Sequence, residues 1–344
     1  MDNLVVTFRN IADILSFESS NSKLERQLTA PEFDWDVIVI EGSKHLVLPA
    51  IYCRLKAKKL LHVLPKELEI YLEELTAINR NRNTTLLKQI QFISKLLNEH
   101  QIDHVFLKGA ALLSSGFYKD IAERMVGDID ILISKEQLTT AFELIKHSGY
   151  TKTYGFAYQT IGYRHLDRLI APNELAAIEL HDEVLIEKYR KIIDVNNILD
   201  SKIYCNTIAI PDTYHLGMHH ILAWQINDLG HFYRAINLKT FYDSIILKVY
   251  ANELLILDLS KNKFGRSYLA LSKYYFEEFS GVLTHTKSLS YQKLHLKYTT
   301  NPVYKQGLKA IKQHYIEFLN RLILVFYNKN YRLHVLKKIF ITQK

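Results

Sequence analysis

The chain has 344 residues, 48% of them hydrophobic and 23% charged, which is enough apolar side chain for a full core and a length that suggests about two domains. Its two cysteines, Cys53 and Cys205, exclude a disulfide framework and fit a reducing, cytoplasmic setting. No stretch approaches the roughly 18 uncharged apolar residues of a membrane helix, and the N-terminus lacks an export pattern, so neither a span nor secretion is expected.

The formal net charge of +8 is unevenly placed. Residues 282–344 hold twelve Lys or Arg against one acid, Glu317, so this stretch carries +11 and the remainder −3. Tyr291, Tyr298, Tyr304, Tyr315, Tyr327 and Tyr331 are interleaved with those cations. Such a mixture can attract phosphates and stack on bases, as in an RNA contact, or it is a solvated helical face with its aromatics turned to the core.

Residues 1–100 read as a helical region. Leu46, Leu48, Ile51 and Leu55 recur at helical spacing, Pro65 marks a helix start, and Leu68, Tyr71, Leu72 and Leu75 continue the pattern. The Asn-Arg-Asn-Arg-Asn run at 79–83 reads as a polar interval before Leu86, Leu87, Ile90 and Ile93. Residues 101–210 alternate. Strands are expected at 104–107 and 128–133, with helices from about Ala110 and over 135–147, and Gly149 as a C-cap. Further strands are expected at 150–158, 163–170, 175–180 and 202–210. Residues 211–344 return to helical spacing over 212–226, 230–250, 264–280 and 303–340, ending in the basic tail.

The chemistry concentrates between residues 105 and 133. Asp128 and Asp130 lie at i and i+2 in an apolar run, so on a strand they share one face while Ile129, Ile131 and Ile133 share the other. Like charges side by side call for a cation, which points to a divalent metal. Lys108-Gly109-Ala110 follows one strand and opens a helix, so backbone N–H groups face outward as a phosphate seat, with Lys108 able to add charge. Later, Ile178-Glu179-Leu180-His181 presents another acid after an apolar lead-in. His181 shares the face of Glu179. His215 and His219 share a helical face and invite a zinc reading, but Leu216 stands where a zinc-protease motif needs glutamate.

Taken together, Leu107-Lys108-Gly109, Tyr118, Arg124 and Gly127-Asp128-Ile129-Asp130 resemble the nucleotidyltransferase superfamily, and most of all its branch of bacterial proteins described as uncharacterised nucleotidyltransferases. Two features depart from the superfamily pattern. Ala110 stands where Gly or Ser is usual, and 17 residues separate it from Asp128. The resemblance implies an α/β (α+β) fold, with a small mixed sheet flanked by N- and C-terminal helical segments. It implies Asp128, Asp130 and Glu179 as catalytic metal ligands for Mg2+ or Mn2+, and Lys108, Gly109, Ala110 and Arg124 as nucleotide-binding residues. His181 and Arg234 are secondary candidates, Arg234 because the helical stretch after the core lines the cleft in that branch. The implied reaction moves a nucleoside monophosphate from a nucleoside triphosphate to a hydroxyl of RNA or tRNA, a small molecule or a protein. The alternative is a non-catalytic nucleotide- or RNA-binding module on the same fold.

Overall fold

A computed structural model of the protein describes residues 4–154, 165–284 and 286–341. Four helices open the chain: α1 (Leu4–Leu15), α2 (Asn21–Leu28), α3 (Trp35–Lys44) and α4 (Leu48–Ala57). They lead to the long helix α5 (Lys66–Glu99), which begins directly after Pro65, where a missing N–H costs nothing. The helix runs unbroken through the expected polar interval at 79–83. Asn79 and Asn83 are buried rather than solvated, because their amides bind backbone carbonyls of a neighbouring loop. A polar run that reads as a break in the sequence is therefore one face of a helix turned toward backbone.

The sheet follows. Strand β1 (His104–Phe106) leads through the short helix α6 (Lys108–Ser114) to β2 (Ile129–Ile133), helix α7 (Leu138–His147), and then β3 (Lys152–Tyr154), β4 (Arg168–Ile170) and β5 (Ile178–His181). The strand order is β1-β2-β5-β4-β3, mixed in direction: β2 and β5 pair in parallel, while β1–β2, β5–β4 and β4–β3 are antiparallel. The strands expected at 150–158 and 163–170 run partly into residues 155–164, which lie outside the described residues. Ile129, Ile131 and Ile133 are all buried, as an apolar sheet face covered by helices requires.

After α8 (Val195–Asp200), the strand expected over 202–210 is a hairpin of β6 (Ile203–Cys205) and β7 (Ile208–Ile210). Asn206 takes the left-handed conformation, φ 56°, that a tight turn needs and that Asn tolerates. Helix α9 (Thr213–Leu222) passes into a π-helical turn at Ala223–Asn227. The helix expected over 230–250 is divided into α10 (Gly230–Tyr233) and α11 (Leu238–Ile246), because Arg234 is left-handed and Asn237 caps the new start by accepting from the Thr240 N–H. Helices α12 (Glu253–Lys261), α13 (Lys263–Tyr275), α14 (Thr286–Thr300), α15 (Pro302–Ala310), α16 (Glu317–Tyr327) and α17 (Lys329–Ile341) complete the chain. One continuous apolar core runs from Phe8 through the sheet to Val282. Among the described residues, no helix is long and apolar enough to cross a membrane.

Candidate active site

Register in the central strands brings the acids together. Parallel pairing of β2 with β5 places Asp130 directly opposite Glu179, so the two carboxylates leave adjacent strands on the same face. Asp128 lies just before β2 on that face and is half-buried, whereas Asp130 and Glu179 are buried. Two such acids side by side are stable only with cations between them. Lys108 forms an ion pair with Asp130. Arg168 of β4 forms one with Glu179 and another with Asp128 at 3.1 Å. His181 Nε2 lies 2.8 Å from Asp130 Oδ1.

These contacts set the protonation of the site. Burial alone would raise the pKa of Asp130, but the Lys108 ammonium and the His181 ring outweigh it and hold the carboxyl well below its usual range. Burial likewise opposes ionisation of Glu179, and the nearby His181 ring and the Arg168 guanidinium bring its pKa down. At Asp128 burial wins, aided by the charges of Glu179 and Asp130, and its pKa is raised. The residues fit a divalent ion: Asp130, Glu179 and His181 place one donor atom each within 4.8 Å of one another.

The site opens into a cleft of about 640 Å³, a size that suits a small ligand. Lys108, Gly109, Arg124, Gly127, Asp128 and Arg168 line it. Gly109 sits where the start of α6 packs on Val126: a Cβ there would stand 3.0 Å from Val126 Cγ1. Lys108 is left-handed, φ 47°, at the strand-to-helix turn. Ala110 is fully buried and is not among the residues that line the cleft.

Arg124 is tied down rather than presented openly. The residue is 5% exposed, and its guanidinium meets Asp243 of α11 at 2.9 Å and also donates to the Met125 carbonyl. Tyr118 donates to the same Asp243, and His220 Nε2 lies 2.8 Å from it. Tyr118 and Arg124, two residues that carry the family resemblance, thus meet on one buried carboxylate. Burial opposes the charge on Asp243, yet Arg124 and His220 hold its pKa well below the usual range. The neighbouring Tyr242 donates to Glu123. On the other side of the loop, Asn79 Nδ2 donates to the Ala122 carbonyl at 2.7 Å, Asn83 Nδ2 to those of Ile121 and Arg124 at 2.6 and 2.7 Å, and Arg82 to that of Val126. The segment leading into Asp128 is therefore clamped between α5 and α11.

Arg168, Lys239, Asp228 and Asp243 are parts of the site that sequence reasoning missed. Arg168 and Lys239 carried no local signal. Asp243 carried one, a charge set among Phe241, Tyr242, Ser244 and Ile245 on an apolar helix. Arg234 is placed elsewhere: it stacks on Tyr298 at 4.5 Å and lines a separate pocket with His45 and Lys305. His215 and His219 do not belong to a metal-capable group among the described residues. His215 Nδ1 is 2.8 Å from Asp212 Oδ2, His219 is buried with both ring nitrogens unpartnered, and among the described residues the metal-capable group is Asp130, Glu179 and His181.

The model of a family described as uncharacterised nucleotidyltransferase matches residues 31–254. No curated protein matches the chain. Among solved structures, the chain is similar to an antigenic nucleotidyltransferase-like protein from Paracoccidioides brasiliensis, at 15% identity and a TM-score of 0.34, over 58% of this chain and 97% of that one. With the matched span covering well over half of its length, from the N-terminal helices through the paired acids to α11, the chain belongs to the family of uncharacterised nucleotidyltransferases.

Proposed function

We propose that the protein transfers a nucleoside monophosphate from a nucleoside triphosphate to an acceptor hydroxyl, using Mg2+ or Mn2+, in the reducing interior of the cell. The observation that carries this reading is the pairing of Asp130 with Glu179 across parallel strands, with Asp128 on the same face and cations around them. Asp128, Asp130 and Glu179 would hold the ion. When bound, the ion supplies charge stabilisation at the phosphorus and lowers the pKa of the acceptor hydroxyl. Lys108, Arg168 and Lys239 bind and orient the triphosphate and neutralise the charge that builds on the leaving pyrophosphate. Glu179, which lines the cleft, would be either a ligand of the ion or the general base that takes the acceptor proton. The acceptor classes are an RNA or tRNA end, a small molecule, or a protein.

The second reading is a nucleotide- or RNA-binding module without turnover. It is favoured by the closed network of Lys108, Arg168 and His181, which already neutralises the acids. Incubation with each labelled nucleoside triphosphate, Mg2+ or Mn2+, and total RNA, cell extract or the protein itself separates the two. Transfer that is lost in Asp128→Asn and Asp130→Asn is the expected result. Transfer surviving both substitutions refutes the mechanism, and nucleotide binding without transfer to any acceptor favours the module.

A further inference from the structure

Around Asp130 the protein gathers more nitrogen than a purely carboxylate site needs. His181 follows Glu179 by two residues on β5, so both side chains leave the strand on the same face. Its Nε2 lies 2.8 Å from Asp130 Oδ1 and 3.6 Å from Glu179 Oε2. One ring nitrogen carries at most one proton and satisfies one carboxylate oxygen, not two. A cation would bridge all three donors, which already lie within 4.8 Å of one another. Ligand atoms around a small six-coordinate divalent ion sit about 3 Å apart, so a modest adjustment completes the set.

Two orphaned imidazoles add a second observation. The His181 ring is 1% exposed, and its Nδ1 has no partner among the described residues. His219 on α9 is equally buried, has both ring nitrogens unpartnered, and lies within electrostatic reach of Lys108, Asp130 and His181. Buried polar atoms without partners are rare in native proteins and mark a place for ordered water; none of these three is the donor assigned to the ion, which is His181 Nε2.

We propose that His181 is a direct ligand of the divalent ion through Nε2, so that the ion sits in a nitrogen–oxygen set of Asp130, Glu179 and His181 and the site prefers Mn2+ and later first-row ions to Mg2+. The inference rests on the nucleotidyl-transfer reading only in taking a divalent ion as the cation of the site. Magnesium favours oxygen donors and keeps its waters, whereas an imidazole nitrogen adds affinity from Mn2+ onward along the first-row series. Asp128 is not part of this triangle; it is half-buried in the lining of the cleft and paired with Arg168, and it would reach the ion from there once Arg168 turns to phosphate. With the ion on Asp130 and Glu179, Lys108 and Arg168 no longer need to neutralise those carboxylates and turn to the incoming phosphates.

The test is pulsed electron paramagnetic resonance of Mn2+ bound to the full chain without nucleotide, with natural-abundance and 15N-labelled histidine. The expected spectrum shows nitrogen modulation that changes with the label, persists in His219→Gln and disappears in His181→Gln. Mn2+ affinity in His181→Gln falls by about tenfold or more, as expected when one ligand is removed, and Mg2+ affinity falls by less. The wild-type spectrum is informative whether or not a variant folds. Absence of Mn2+ binding, bound Mn2+ without nitrogen modulation, or modulation lost in His219→Gln but kept in His181→Gln would each overturn the assignment. Labelled-nucleotide transfer, measured separately, keeps the two ideas distinct: transfer without nitrogen modulation sinks the His181 assignment alone, and modulation without transfer sinks the transferase reading alone.

Discussion

Lys239 and Asp243 stand one turn apart on α11; the first lines the same cleft as Asp128 and Asp130, and the second lies wholly buried against Arg124. One helix thus adds a cation to the site and anchors the segment that delivers the Asp-x-Asp strand. The cleft is built from both sides of the boundary expected at residue 210, since Asp228 and Lys239 line it along with the core residues.

Lys239 gives a pH signature. Burial, with the Arg124 charge nearby, pushes its pKa down to about 8. If its ammonium binds triphosphate, nucleotide affinity falls as pH rises through about 8. A charged hydrogen bond contributes about 1.5–3 kcal/mol, so the loss is on the order of tenfold or more. In Lys239→Met, affinity is already low at pH 7 and this step is gone; calorimetric titration with a nucleoside triphosphate from pH 6.5 to 9.5 is the check. The sign for stability is opposite. Between about 8 and the ordinary lysine value the unfolded chain binds more protons, so this group's contribution to stability rises with pH over that window.

Asp243→Asn should cost about 3–5 kcal/mol of unfolding free energy, because it leaves the Arg124 guanidinium buried without its counter-charge. Urea denaturation measures it. A change under about 1 kcal/mol would show that Arg124 finds water or another acid on its own, and the anchoring role would fall.

Asn79→Ala with Asn83→Ala removes the amides that hold the carbonyls of Ile121, Ala122 and Arg124. Buried carbonyls left without donors cost about 1–3 kcal/mol each. Hydrogen exchange should quicken at residues 121–127 before it does in the sheet. Uniform protection across both regions would mean that α11 alone fixes the loop.

The basic tail makes a salt-dependence prediction for the RNA acceptor. Lys305, Lys309 and Lys337 are exposed. If they neutralise phosphates, replacing all three with Glu weakens single-stranded RNA binding and flattens the plot of log affinity against log salt by about 0.7 for each phosphate no longer neutralised. An unchanged slope would mark these lysines as a solvated face.

Much of the site was legible because its signals are local. Asp128 and Asp130 announce a shared face through the two-residue period of a strand, and Lys108-Gly109 announces a turn into a helix. The alternation of helices and strands followed from the same reading, and the mixed sheet flanked by helices from the family resemblance. Local signals misled where polar residues serve backbone rather than solvent. The 79–83 run read as an interval because burial of Asn79 and Asn83 depends on carbonyls more than thirty residues away.

By itself the sequence determined which residue types lie on which strand face and where the strand-to-helix turn falls, since backbone geometry alone imposes those relations. Only the tertiary structure decided which charges meet. The parallel register sets Asp130 against Glu179, β4 brings Arg168 between Glu179 and Asp128, and α11 carries Asp243 to Arg124 across a separation of 119 residues. No period in the chain encodes such pairs: each arises because a buried charge must find its opposite wherever packing of the apolar core has placed it.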